Sequence, residues 1–203
     1  MPAPKPAPPP MSSGSVYHHP KAQEYARAAR SRCCTPLSDG PLIWHTYWYD
    51  KHPAILEIVA WLKELPQKAQ ERALGQFEVL FEDASQGTLN PRDPGEPIKA
   101  IDQGQDFYEL RWTFNDFGYP EKLFRQYHAE PTESDVENLL VTSHAHFKKV
   151  DGFTKQQISE LQTEQMQQAV MRFNLGCKSM WGLAADGSEP LHPLDLIEDL
   201  LYG

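Results

Sequence analysis

The sequence contains few cysteines and no long hydrophobic run. Its three cysteines, Cys33, Cys34 and Cys177, do not make a disulfide framework and lack the paired spacing of a zinc site. No stretch of about 18 apolar residues is present, which excludes a membrane-spanning helix, and the first residues lack the apolar segment of a secretory signal. We therefore expect a cytoplasmic protein with no bound metal or other cofactor and no membrane partner.

An excess of positive charge is also absent. The formal net charge is −9 and the isoelectric point is about 5.3, which argues against non-specific nucleic-acid binding through a broad basic surface. A local basic patch is still compatible with this composition, because His144, His146, Lys148 and Lys149 lie together in the sequence. A cationic site on an otherwise acidic protein is therefore expected.

Composition divides the chain into three parts. Residues 1–41 are rich in proline and are predicted to form a flexible arm with one short helix at residues 21–32. Residues 42–176 carry the periodic apolar pattern of a single domain. Residues 177–203 form an acidic tail with an amphipathic helix near residues 194–201, which is expected to lie on the domain unless its apolar stripe docks a partner.

Within the domain, apolar spacing and the positions of glycine and proline predict the elements. The first half of the domain is predicted to contain a strand at residues 43–49, a helical hairpin at 53–64 and 67–82, and a loop at 87–104. The second half is predicted to contain three strands, at residues 107–114, 122–128 and 139–149, and a last helix. This helix is expected to run from an N-cap at Thr154 to about Phe173, with Gly176 as a candidate C-cap. The three strands are short, aromatic and β-branched, and predict an antiparallel meander. The expected fold class is α+β, with a sheet packed by the hairpin and the last helix.

Period-two alternation assigns side chains to the two faces of this sheet. In the first meander strand Glu109 and Arg111 point to one side and are expected to face solvent, while Leu110 and Trp112 point to the core. The same reasoning predicts one shared side for the following group in the last strand: Thr142, His144, His146 and Lys148. Because the middle strand is adjacent, its Arg125 and Tyr127 can lie beside this row. The predicted face carries cationic and titratable groups with few carboxylates, and such a face suits a phosphodiester.

The segments resemble, in order and spacing, the phage-derived HigB-like branch of the RelE/HigB toxin superfamily over about residues 43–175. The motifs that carry the resemblance are Tyr47-Trp48-Tyr49-Asp50, Leu62-Lys63-Glu64-Leu65-Pro66, Tyr108-Glu109-Leu110-Arg111, Leu123-Phe124-Arg125-Gln126-Tyr127, His144-Ala145-His146-Phe147-Lys148-Lys149 and the turn from Thr154 to Ile158. The resemblance implies a RelE-like fold and ribosome-dependent cleavage of messenger RNA, in which a ribose 2′-hydroxyl attacks the adjacent phosphate. An RNA or ribosome partner is then expected, together with an antitoxin or a host protein.

The resemblance also implies roles for single residues. Arg111 would clamp a phosphate, and His144 would act as acid or base. Tyr127 and His128 complete the predicted catalytic group. The predicted substrate-binding residues are Lys122, which stands where members usually have arginine, Arg125, His146, Lys148 and Lys149.

Other interpretations of the same residues remain open. Arg111 can simply pair with Glu109, and the histidines can be surface residues of the sheet. His144 and His146 have the spacing of a metal-binding pair, but no third ligand is evident. Two further functions are therefore considered: a non-catalytic relative that binds a host protein through its acidic surface and extensions, and a metal-dependent hydrolase.

Overall fold

The computed structural model describes residues 20–38, 40–47, 53–104, 106–115, 121–132, 137–183 and 189–203. These residues form an α+β domain with a five-stranded mixed sheet and five α-helices. In chain order the elements are α1 (Pro20–Ala28), β1 (Ile43–Thr46), α2 (Pro53–Glu64), α3 (Gln67–Ser85), β2 (Ile98–Ala100), β3 (Phe107–Phe114), β4 (Lys122–Ala129), β5 (Leu139–Phe147), α4 (Lys155–Gly176) and α5 (Pro193–Tyr202). The arm before Pro20, with His18 and His19, and the predicted strand end at Trp48 and Tyr49 lie outside the described residues.

The sheet has the strand order β1-β5-β4-β3-β2. The predicted antiparallel meander is confirmed for β3, β4 and β5, and β1 adds to its edge in parallel to β5. The loop predicted at residues 87–104 is wrong at one place, because Ile98–Ala100 pairs antiparallel with β3. The strand was not predicted because a run of three residues after Pro97 is too short to show the alternation that marks a strand.

The main core fills one face of the sheet. The predicted hairpin is confirmed: α2 has the predicted bounds, and Pro66 separates it from α3. Phe77 and Phe81 of α3 pack on Trp112 of β3 at ring-centroid distances of 5.2 and 5.3 Å. Trp44 and Trp112 are buried, as predicted for the tryptophans.

Helix α4 covers the opposite face of the same sheet. Thr154 caps it as predicted, because its hydroxyl accepts from the Gln157 backbone N–H while the Gln157 side chain accepts from the Thr154 N–H. Ala169 is buried against Tyr127 and Phe107. The sheet is therefore sandwiched between α4 and the layer formed by α2 and α3.

The two segments outside residues 42–176 also contact this domain where they are described. Ala28, Ser31 and Cys33 are buried, and Cys33 belongs to the main core. The amphipathic helix predicted near the C-terminus is α5, which buries Ile197 in that core, so the expectation that it lies on its own domain is confirmed. No helix in the described part of the chain is both long and apolar enough to cross a membrane.

Candidate functional site

The residues predicted to share a face do so across three strands. Glu109 pairs with Tyr127, Arg111 with Arg125, Arg125 with His146, and Tyr127 with His144. Directly opposed residues of neighbouring strands lie on the same side of a sheet. The name polar sheet face is used for this group: Glu109, Arg111, Arg125, Tyr127, His144 and His146.

Three residues that were predicted for this face or for the site lie on the other side of the sheet. A β-bulge shifts the register after Tyr127, so that His128 pairs with Thr142 and both residues belong to the opposite face. His128 is fully buried there, between the rings of Trp44 and Tyr108. Lys122 pairs with the core residue Phe114, and its Nζ lies 5.8 Å from the Phe147 ring centroid, also on the opposite face. The predicted shared side is thus wrong for Thr142, and the predicted site residues His128 and Lys122 do not adjoin the polar sheet face.

The expectation that the polar side chains face solvent with few carboxylates nearby is wrong. Glu109 is fully buried, with its Oε1 3.1 Å from Arg111 Nε and 2.9 Å from Arg125 Nε. Arg111 also pairs with Glu96, at 3.1 Å. The Arg125 Nε–H is not aimed at the carboxylate and makes no hydrogen bond, so that contact is an ion pair only. Arg125 Nη1 donates instead to the backbone carbonyls of Trp112 and Phe124.

Burial and charge act in opposite directions on these arginines. Burial works to lower the pKa of Arg111, but the charges and hydrogen bonds of Glu109 and Glu96 outweigh it and raise that pKa. For Arg125, burial and the nearby Arg111 outweigh the attraction of Glu109, and the pKa is lowered. An arginine starts from so high a pKa that both guanidinium groups remain charged. The centre of the face is therefore a buried arginine–carboxylate–arginine cluster.

His144 is held by two side chains of α4. Arg172 Nη1 lies 2.6 Å from its Nδ1, and Gln165 Oε1 lies 2.6 Å from its Nε2. A guanidinium can only donate, so Nδ1 accepts and the ring proton sits on Nε2, from which it is donated to Gln165. His144 is a neutral ring with both nitrogens engaged, and it can reach a substrate only if Gln165 moves.

His146 and Tyr127 form a second hydrogen-bonded unit beside it. His146 Nδ1 donates to its neighbouring carbonyl at Phe147, 3.0 Å away, and Tyr127 donates its hydroxyl to His146 Nε2 at 3.2 Å. Burial lowers the pKa of His146, and burial together with the charge of Glu109 raises the pKa of Tyr127. His146 is therefore a neutral base at neutral pH, while Tyr127 keeps its proton.

The polar sheet face is accessible to solvent at one end, where β5 ends beside α4. A cleft of about 170 Å³ is lined there by His146, Lys148, Lys149, Gln162 and Gln165, among others. Burial and the charge of Arg125 lower the pKa of Lys148. Among the described residues neither Lys148 nor Lys149 has a carboxylate within ion-pair distance. Glu57 of α2 also lines the cleft, so the two lysines share it with one carboxylate that makes no ion pair with them.

Sequence reasoning missed the contribution of α4. Gln162 donates to Glu109 Oε2 at 3.3 Å, while Gln165 and Arg172 hold His144. The signal was present, because these three residues recur at helical spacing on the side of Ala169, which is buried against the sheet. The apolar stripe of the helix was identified, but the polar residues within it were not.

At the cleft, His146 offers a proton acceptor, and Lys148 and Lys149 offer two ammonium groups. The space between them is large enough for a phosphate and part of a nucleotide. Such a set can bind an anion and exchange protons with it. Neither a protein-family model, nor a curated protein, nor a solved structure matches the chain.

Proposed function

We propose that the chain is a RelE/HigB-like protein that binds and cleaves a phosphodiester of RNA in the cleft between β5 and α4. The observation that carries this proposal is the meeting of His146, Lys148 and Lys149 at that cleft, with Arg125 and Tyr127 directly behind them. A phosphate requires cations, and 2′-hydroxyl attack requires a base, and both are present within one concave space.

Each step has a candidate group. His146 Nε2 accepts from the Tyr127 hydroxyl, which would have to turn aside. His146 would then take the proton of the 2′-hydroxyl as the 2′-oxygen attacks phosphorus, which forms a 2′,3′-cyclic phosphate. The bond to the 5′-oxygen then breaks, and the Lys148 ammonium, with its lowered pKa, would protonate that oxygen. Lys149 would hold the adjoining backbone, and Arg125 would support the charge of the phosphorane.

Arg111 and His144 have positioning roles in this proposal. Arg111, tied to Glu96 and Glu109, fixes the carboxylate that faces Arg125. His144 joins the sheet to α4 through Gln165 and Arg172, and its ring lies 5.9 Å from that of His146, nearly parallel to it.

The order of the elements is consistent with the proposed family. A strand, two helices, the short strand β2, a three-stranded antiparallel meander and a long helix follow one another, and apart from β2 this is the order of the segments that carry the resemblance. The proposed substrate is accordingly messenger RNA on the ribosome, in the cytoplasm. An antitoxin would be the natural regulator, and a phage genome is the proposed origin.

The test is cleavage of messenger RNA on purified ribosomes, with the new ends mapped. Wild-type protein should produce 2′,3′-cyclic phosphate ends and should arrest growth when expressed. His146→Ala and Lys148→Ala should lower the cleavage rate at least tenfold, while Lys68→Ala, an exposed lysine on α3, should not. Unchanged circular dichroism spectra would show that the variants fold. The absence of cleavage with soluble wild-type protein would overturn the proposal.

A second candidate is favoured by the acid-paired arginines. If Glu109 permanently occupies Arg111 and Arg125, the fold would serve as a non-catalytic scaffold that binds a host protein. Met171 and Leu175 are each 53% exposed, one turn apart on α4, and offer an apolar contact. This function predicts no RNA cleavage and a stoichiometric complex with one host protein that is lost in Met171→Glu but persists in the exposed neighbour Gln167→Glu.

A further inference from the structure

A second cluster of titratable side chains lies on the opposite face of the sheet from the polar sheet face. Cys33 is on the short 3₁₀ turn Arg32–Cys34, His128 is on β4, and Glu130 follows β4 directly. Cys33 Sγ is 3.6 Å from His128 Nε2 and 3.8 Å from Glu130 Oε1, and the last two atoms are 3.5 Å apart. Three different donor atoms thus form a nearly equilateral triangle.

This triangle is closed off from solvent. Cys33 and His128 are fully buried, and Glu130 is 5% exposed. The His128 ring is fixed between Trp44 and Tyr108, at centroid distances of 5.1 and 5.8 Å, so that Nε2 points at the other two donors. Its other nitrogen, Nδ1, is a buried polar atom with no hydrogen-bond partner among the described residues.

The three donors differ in charge, and Glu130 is already paired with Arg32. Burial, reinforced by the negative charge of Glu130, raises the pKa of Cys33 well above its ordinary value. Burial also acts to raise the pKa of Glu130, but hydrogen bonds from His128, the Arg32 N–H and Ser31 outweigh it and lower that pKa. The Glu130 carboxylate and the Cys33 thiol lie 3.8 Å apart and offer an oxygen and a sulfur ligand to a cation.

We infer that Cys33, His128 and Glu130 form a binding site for Zn²⁺. With metal–ligand bonds of about 2.0–2.3 Å, the edges of a tetrahedral zinc site are roughly 3.4–3.6 Å long, which is close to the three distances in this cluster. Zn²⁺ would replace the thiol proton of Cys33, which is released to solvent. The proton that His128 Nε2 directs at Glu130 would move to Nδ1, which has no hydrogen-bond partner among the described residues, so that Nε2 offers a lone pair to the metal. The resulting Zn²⁺, thiolate and carboxylate sum to zero charge beside the Arg32 guanidinium. The fourth tetrahedral position is left for a water molecule or the nearby Ser31 hydroxyl.

Hydrogen bonds from neighbouring groups orient the carboxylate ligand, as they do for metal-bound carboxylates in zinc sites. The Ser31 hydroxyl donates to Glu130 Oε1, and the backbone N–H of Arg32 donates to Oε2 at 2.8 Å. The Arg32 side chain adds an ion pair with Oε2 at 3.6 Å. These contacts hold one oxygen of Glu130 towards Cys33 and His128.

The metal would connect parts of the chain that are far apart in sequence. Cys33 and His128 are separated by 95 positions, so the ion fastens the segment before β1 to the middle of the sheet. Because the site is enclosed, it would be filled as the chain folds, and binding would stabilise the native state. This inference is independent of the proposed RNA cleavage.

The experiment uses Co²⁺ as a spectroscopic substitute for Zn²⁺. The full chain is unfolded, stripped of metal with a chelator that is then removed, and refolded in the presence of Co²⁺. One equivalent of Co²⁺ should bind and produce thiolate-to-cobalt charge-transfer absorption together with the visible bands of tetrahedral Co²⁺. Zn²⁺ should abolish both signals and raise the melting temperature. Binding without thiolate absorption, or no stoichiometric binding at all, would overturn the site.

Matched variants identify the side chains that bind the metal. Cys33→Ser and His128→Gln should each lower the Co²⁺ affinity at least tenfold and remove or alter the absorption. The adjacent Cys34→Ser, the exposed Cys177→Ser and the double variant His18→Ala/His19→Ala should leave both unchanged. Loss of the signal in any of these three controls, with its retention in folded Cys33→Ser protein, would assign the metal elsewhere and refute the inference.

Discussion

At the scale of single residues, Glu109 determines the character of the polar sheet face. Alternation along β3 correctly places it beside Arg111 and opposite Leu110. What alternation cannot indicate is whether that face meets water or another element, and here α4 covers it. The sequence thus predicts which residues are neighbours, but it does not predict that a buried carboxylate compensates two of the cations.

Removal of this carboxylate should destabilise the protein strongly. Glu109→Ala leaves Arg125 buried without an acid, and loss of one partner of a buried ion pair costs about 3 kcal/mol or more. Urea denaturation should therefore show a free energy of unfolding lowered by about 3 kcal/mol. The exposed Glu78→Ala on α3 should change it by no more than about 0.5 kcal/mol. A loss for Glu109→Ala as small as that of the control would mean that the ion pairs are not formed.

The buried histidines predict a pH dependence of stability. Burial lowers the pKa of His45, His146 and His192 below 6.5 in the folded state. The unfolded chain therefore binds more protons than the folded chain once the pH falls through about 6.5, and stability must decrease in that direction. The melting temperature should drop between pH 7.5 and pH 5, with a shallower slope in His146→Gln. Stability that is constant or increases towards pH 5 would contradict these shifts.

At the scale of elements, long periodic segments are predicted well and short or irregular ones are not. The bounds of α2 and the N-cap of α4 agree with prediction, because apolar spacing and a capping box are encoded locally. The three-residue strand β2 and the bulge in β5 depend on partner strands, which a single sequence does not display. That one bulge moves Thr142 away from the predicted face, whereas His128, which follows Tyr127 on β4, lies on the opposite face by alternation alone.

Helix α5 provides a test of how much the C-terminal segment contributes to the stability of the fold. Ile197 is 3% exposed and packs in the main core. Ile197→Ala should lower the free energy of unfolding by about 3 kcal/mol, because it removes buried methylene groups and leaves a cavity. The neighbouring exposed Glu198→Ala should have little effect. Equal unfolding curves for Ile197→Ala and wild type would show that α5 does not pack as described.

At the scale of the whole molecule, an acidic protein carries a local cationic opening. The net charge is −9, and the arginines of the polar sheet face are largely compensated by Glu96 and Glu109. The half-buried Lys148 and the exposed Lys149 carry the positive charge at the cleft. Binding of RNA would thus depend on few phosphate contacts and only weakly on salt, since the salt dependence grows with the number of phosphates neutralised.

The central claim is that an RNA phosphodiester binds in the cleft between β5 and α4. Backbone amide NMR shifts, recorded as a short oligoribonucleotide is added up to millimolar concentration, test it most directly. The account predicts saturable shifts grouped at His146, Lys148, Lys149 and Gln162, which disappear in Lys148→Ala and persist in Lys68→Ala. Shifts confined to other surfaces, or no shifts at any concentration, would contradict it.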